Sequence, residues 1–114
     1  MKDRTQLKER YLRDPLAVRL GGLAANLARV HSFSNRADHG EAVESLLEES
    51  KYFIEWTAAD AAISVQADLV DLQVQLAQWQ RKWVSLWAEP TSRKAIADGA
   101  HLWSQRVLKM SGLI

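Results

Sequence analysis

The stretch Ala62-Ile63-Ser64-Val65-Gln66-Ala67-Asp68-Leu69-Val70-Asp71-Leu72-Gln73-Val74-Gln75-Leu76-Ala77-Gln78-Trp79-Gln80-Arg81-Lys82-Trp83-Val84-Ser85-Leu86 decides the fold class. Its apolar positions Ala62, Val65, Leu69, Leu72, Leu76, Trp79, Trp83 and Leu86 recur at intervals of 3, 4, 3, 4, 3, 4 and 3. That is one continuous stripe on a helix, because residues three and four apart share a face. The spacing predicts a helix over about 59–88, with Pro90 stopping it.

The same period extends on both sides. Leu16, Leu20, Leu23, Leu27 and Val30 form a stripe after Asp14-Pro15, where Asp can cap and Pro suits the first turn. Val43, Leu46, Leu47, Ser50, Phe53 and Ile54 form another, opened by a capping box from Asp38 and Glu41. Ile96, Ala100, Trp103, Val107 and Met110 form the last, with Thr91 or Ser92 as cap and Gly112 as the closing left-handed residue. Thr57 and Asp60 offer a further capping box, so the chain is expected to turn near Trp56 to Ala59. Unbroken helix from 40 to 88 would run roughly 73 Å at about 1.5 Å per residue, too long for a compact domain of this size. Leu7 and Tyr11 share a face of a short leading helix. The expectation is therefore an all-α single domain over 1–114, an up-down four-helix bundle with a short leading helix. Its helices lie at about 3–12, 15–31, 39–56, 59–88 and 92–111.

Composition agrees with helices and narrows the chemistry. The chain has 114 residues with 47% hydrophobic and 25% charged, enough for one core. Only 2 prolines and 5 glycines are present, too few for the turns of an all-β fold. There is no cysteine, which excludes disulfides, thiolate metal sites and thiol nucleophiles. No apolar run approaches the roughly 18 residues of a membrane span, and Met1-Lys2-Asp3-Arg4 lacks a signal-peptide core, so a cytoplasmic protein without membrane partners is expected.

The net charge of +1 conceals a partition. Residues 1–36 carry 8 Lys/Arg and 3 Asp/Glu, residues 37–80 carry 1 and 9, and residues 81–114 carry 6 and 2. An acidic middle folded against basic neighbours accounts for this; basic ends seeking an acidic partner is the other reading. Lys8, Arg10, Arg13, Arg19, Arg81-Lys82 and Arg93-Lys94 are the candidates for phosphate contacts, but a pI near 8.1 falls below the range usual for nucleic-acid-binding domains, so nucleic acid is not the expected partner.

Two helices carry more apolar surface than one core stripe requires. Ala17, Gly21, Ala24 and Ala28 form a line of small residues beside the leucines, which admits a close neighbour within the bundle or a groove for a partner helix or flat ligand. In the long helix Ile63, Val70, Ala77 and Val84 repeat every seven residues, with Val74 alongside, well round the helix from the core stripe. A helix apolar on two sides is either central or shared with another molecule. Self-association through this face, as a homodimer, is the reading taken; cover by the leading helix or the C-terminal tail is the alternative. Tyr52 and Trp56, beside Glu48, Glu49 and Glu55, form a second candidate contact for a basic partner unless the leading helix buries them.

Motifs for chemistry are weak. Asp98-x-x-His101 is the single acid-x-x-His pair, whereas a di-iron bundle needs two Glu-x-x-His pairs and further glutamates, so no metal and no cofactor is expected. His31 suits a helix C-terminus, and its alternative is an axial or ligand-binding histidine. Trp79, Trp83 and Trp87 fall at i, i+4 and i+8, a bulky core layer or, with His31, a wall for a planar ligand. No Gly-x-Ser-x-Gly and no phosphate-binding loop occurs, so no catalytic residue is assigned and the chain is not expected to be an enzyme.

The segments Leu46-Leu47-Glu48-Glu49-Ser50-Lys51-Tyr52-Phe53-Ile54-Glu55-Trp56-Thr57, Leu20-Gly21-Gly22-Leu23-Ala24 and Trp103-Ser104-Gln105-Arg106-Val107-Leu108 resemble small uncharacterised helical proteins of cyanobacteria. The resemblance implies a free-standing small protein and brings no activity or functional residue with it.

Overall fold

A computed structural model describes residues 3–113, which are all-helical, with no strand among them. The helices are α1 (Thr5–Arg13), α2 (Leu16–Phe33), α3 (Gly40–Ala58), α4 (Ile63–Arg81), α5 (Trp83–Ala88) and α6 (Pro90–Ser111), with a single 3-10 turn at Ala37–His39 before α3. None of the described helices is long and apolar enough to cross a membrane.

The core is the set of heptad stripes. Leu23, Leu27 and Val30 of α2, Val43 and Leu47 of α3, and Leu69, Leu72 and Leu76 of α4 have no exposed surface, and neither do Ala100 and Val107 of α6. Helix α2 packs mainly on α6 and α3, and α4 rests chiefly on α3. Small residues set the α2–α6 approach: Ala24, Ala97 and Ala100 are buried there, and the Ser104 hydroxyl donates to the Ala24 carbonyl at 2.8 Å. A neighbour within the chain thus uses part of the small-residue line of α2. Gly21 meets Leu113 near the end of the chain, whose Cδ1 lies 2.7 Å from where a Cβ would stand.

Several boundaries differ from the sequence expectation, each for a local reason. The long helix expected over 59–88 is interrupted at Lys82, whose φ of −105° and ψ of 18° leave the helical region. Beyond that break Trp83 is buried and stacks on Trp87, with ring centroids 4.9 Å apart. Pro90 opens α6 rather than merely closing the helix before it, since the first turn needs no N–H from that residue. The expected side-chain caps do not form. Asp38 pairs with Arg36, Thr57 is buried against Tyr11, and Asp60 pairs with Arg19 at 3.0 Å. The turn after α3 falls at 59–62, a few residues later than Trp56 to Ala59. At the C-terminus Gly112 takes a φ of 75°, the left-handed conformation that glycine adopts without strain.

The charge blocks meet inside the fold. Arg4 of the basic leading segment pairs with Glu48, Arg19 with Asp60, and Arg106 of the basic C-terminal segment with Asp68. Arg19 is buried, and its guanidinium also donates to the Asp14 and Trp56 carbonyls, so this cation is bound up in the fold rather than offered to a phosphate.

Candidate interaction surface

Helix α4 turns Leu69, Leu72 and Leu76 inward and a second apolar line outward. Ile63 is 84% exposed, Val70 57% and Val74 52%. Ala67, Ala77 and Arg81 are exposed between and beyond them, so the outward line runs 63, 67, 70, 74, 77, 81, a full heptad pattern. At 100° per residue its mean direction lies nearly opposite the leucines. Glutamines hold one flank of α4: the Gln66 side chain donates to the Ala61 carbonyl in the preceding turn at 3.1 Å, and that of Gln73 to the Lys51 carbonyl of α3 at 3.4 Å. Val74, Ala77, Gln78 and Arg81 line a shallow hollow of about 310 Å³ on the outer side. Val84, at 84% exposure, belongs to α5 beyond the break and extends the apolar surface past Lys82.

Neither intrachain cover lies over this line. Helix α1 packs on α3 instead: Tyr11 stacks on Phe53 with centroids 4.0 Å apart, and the Arg4 guanidinium sits 4.3 Å from the Tyr52 ring centroid. Leu113, just past the end of α6, lies at Gly21 of α2. Tyr52 and Trp56 are accordingly half-buried, with Trp56 tilted against Tyr11 at 5.9 Å. They form part of the seat of α1.

The residues considered for a planar ligand are not gathered round one cavity. Trp79 lies over Gly99 of α6, so closely that a Cβ there would stand 3.0 Å from the ring. Trp83 and Trp87 pack towards the start of α3, where the Trp87 indole donates to the Ala37 carbonyl at 2.8 Å. His31 is on the α2–α6 seam: its Nδ1 donates to the Ala97 carbonyl at 2.9 Å, and its ring lies 4.7 Å from that of His101. Because a carbonyl can only accept, that contact assigns the proton to Nδ1. Of these four residues Trp83 alone borders one of five surface hollows on the described residues, and it does so without His31, Trp79 or Trp87. No group of three or more His, Asp or Glu side chains is placed to hold a metal ion among them.

Two members of the outward line, Ala67 and Arg81, escape a search for apolar residues every seven positions. The 4, 3, 4, 3 spacing that reveals the core stripe would have found them, had it been continued through an alanine and an arginine. Compared with protein-family models, curated proteins and solved structures, the chain matches none.

Proposed function

We propose that this chain is a non-enzymatic protein–protein interaction module that associates with a second copy of itself through the outer face of α4. The observation that carries the reading is the placement of Ile63, Val70 and Val74, more than half exposed in one line on the side of α4 opposite its buried leucines. A branched aliphatic side chain contributes roughly 1.5–3 kcal/mol when fully buried, so water is a poor occupant for such a stripe. Two copies of one stripe are complementary by symmetry, and a two-fold pairing closes without leaving an apolar edge to recruit more chains.

In this reading α2, α3, α4 and α6 act as an up-down bundle that displays α4 as a rigid edge. The cross-helix contacts support that order. Asn26 reaches Glu49 and Arg19 reaches Trp56 between α2 and α3, while Ala24 meets Ser104 and His31 meets Ala97 between α2 and α6. Asp68 meets Arg106 and Trp79 meets Gly99 between α4 and α6. In each pair the residue numbers rise on one helix as they fall on the other.

Light scattering tests the reading. The expected result is a dimer at tens of micromolar, shifted to monomer by Val70→Lys and by Val74→Lys with the helical dichroism unchanged. A monomer throughout, or a dimer indifferent to both substitutions, overturns it.

A further inference from the structure

Shape and charge along α4 say how the second copy sits. The hollow on its outer side is lined by Val74, Ala77, Gln78 and Arg81. These are positions i, i+3, i+4 and i+7, the four residues that make the hole receiving one knob in a coiled coil. Charge is divided along the same line. Asp71 flanks its middle, next to Val70, and Arg81 closes its C-terminal end with Lys82 just beyond. Among the ion pairs of the described residues, neither Asp71 nor Arg81 takes part.

We infer that two copies pair α4 against α4 in antiparallel orientation, about a two-fold axis passing between residues 75 and 76, with Val74 of each seated in the other's hole. The inference rests on the self-association reading of the same face and fixes its geometry. With Val74 opposite Ala77, Arg81 lies opposite Val70, and its guanidinium reaches the Asp71 carboxylate beside it. Both ends of the pairing gain this ion pair, because the axis repeats it.

The competing arrangements fail on the same two grounds. A parallel pair puts Ala77, a single methyl, into the hollow of about 310 Å³, and sets Asp71 against Asp71 and Arg81 against Arg81. An antiparallel pair slipped by one heptad, with Val70 opposite Val74, puts Ala67 into the hollow and Arg81 against Ile63. Only the arrangement centred on Val74 and Ala77 fills the hole with a branched side chain and gives Arg81 an acidic partner.

The chain has no cysteine, so introduced thiols report the geometry directly. Val74→Cys protein is mixed with Ala77→Cys protein and oxidised, and the mixed disulfide is expected to exceed either self-linked product, since a disulfide needs Cα atoms within about 7 Å. Ile63→Cys is expected not to self-link, because the axis carries the two copies of residue 63 to opposite ends of the pair. Asp71→Arg and Arg81→Asp are each expected to weaken the dimer by about tenfold, and the chain carrying both is expected to recover, since the charges have only changed places. A dimer in which Ile63→Cys links to itself overturns the antiparallel arrangement and leaves self-association through α4 standing. A dimer whose thiols at 63, 74 and 77 never link overturns both the arrangement and the face. Monomer alone in light scattering overturns self-association, and this arrangement with it.

Discussion

Thr57 donates a hydrogen bond of 3.1 Å to the phenol oxygen of Tyr11 in a buried corner where α1, α2 and the end of α3 meet. The phenol in turn donates to the Arg19 carbonyl at 2.8 Å, so one side chain of the leading helix is tied to two others. Thr57→Val keeps the shape and removes the donor. Its expected cost is about 1 kcal/mol, with a thermal midpoint lower by several degrees. Tyr11→Phe removes both bonds and leaves the Thr57 hydroxyl without its acceptor, so its expected cost is about 2 kcal/mol. Melting curves of the two variants check the order; a Thr57→Val loss equal to or above that of Tyr11→Phe contradicts it.

Burial pushes the Tyr11 phenol from 10.0 up to about 12, against the smaller opposing pull of the Thr57 hydrogen bond and the Arg19 charge. The fold therefore favours the protonated, neutral phenol. The stability this contributes is fully present below pH 10 and is lost as pH rises through 12, the raised value of the folded state. Titration into alkali, followed by dichroism, should show stability falling across that window. Tyr11→Phe should flatten the fall, and an unchanged slope in that variant would assign the fall to other groups.

Three helical glycines separate by what an added methyl meets. At Gly22 it meets Tyr11 at an ordinary 3.7 Å, so Gly22→Ala should stabilise by up to about 1 kcal/mol through helix propensity alone. At Gly40 it meets the Trp87 indole nitrogen at 2.8 Å, and that nitrogen is committed to the Ala37 carbonyl. Gly40→Ala should destabilise and shift the tryptophan fluorescence as Trp87 is displaced. At Gly21 it meets the end of the half-exposed Leu113 side chain, which can turn away, so a near-neutral change is expected. Denaturant midpoints check all three; a stabilised Gly40→Ala would refute the steric argument.

Leu72 and Val74 sit two residues apart on opposite sides of α4, at 0% and 52% exposure. Leu72→Ala should cost about 2–5 kcal/mol through the cavity it leaves. Val74→Lys should change the stability of the monomer by no more than about 0.5 kcal/mol while weakening self-association. Denaturation at low and high protein concentration distinguishes the two effects. Val74→Lys as damaging as Leu72→Ala at both concentrations would mean that its side faces a core.

The reading of Leu69, Leu72 and Leu76 as core, and of Ile63, Val70 and Val74 as a separate line, follows from spacing alone, because a helix converts intervals of three and four into direction. Helical class follows in the same way from the stripes flanking Leu23, Leu47 and Val107. Tyr52 and Trp56 illustrate where spacing stops. The side they occupy on α3 is legible, but the cover provided by Tyr11 and Arg4 depends on how α1 swings back after Asp14. Capping residues were legible as types and not as roles, since Thr57 and Asp60 instead pair with the buried Tyr11 and Arg19.

The sequence by itself determined that this chain is helical and which residues of α4 point the same way, because those properties are local to one helix. Tertiary structure alone decided that α1 and Leu113 lie elsewhere, leaving the outer line of α4 bare, and that the long helix is interrupted at Lys82. These are outcomes of long-range packing, where many burial energies compete and no interval along the chain records the winner.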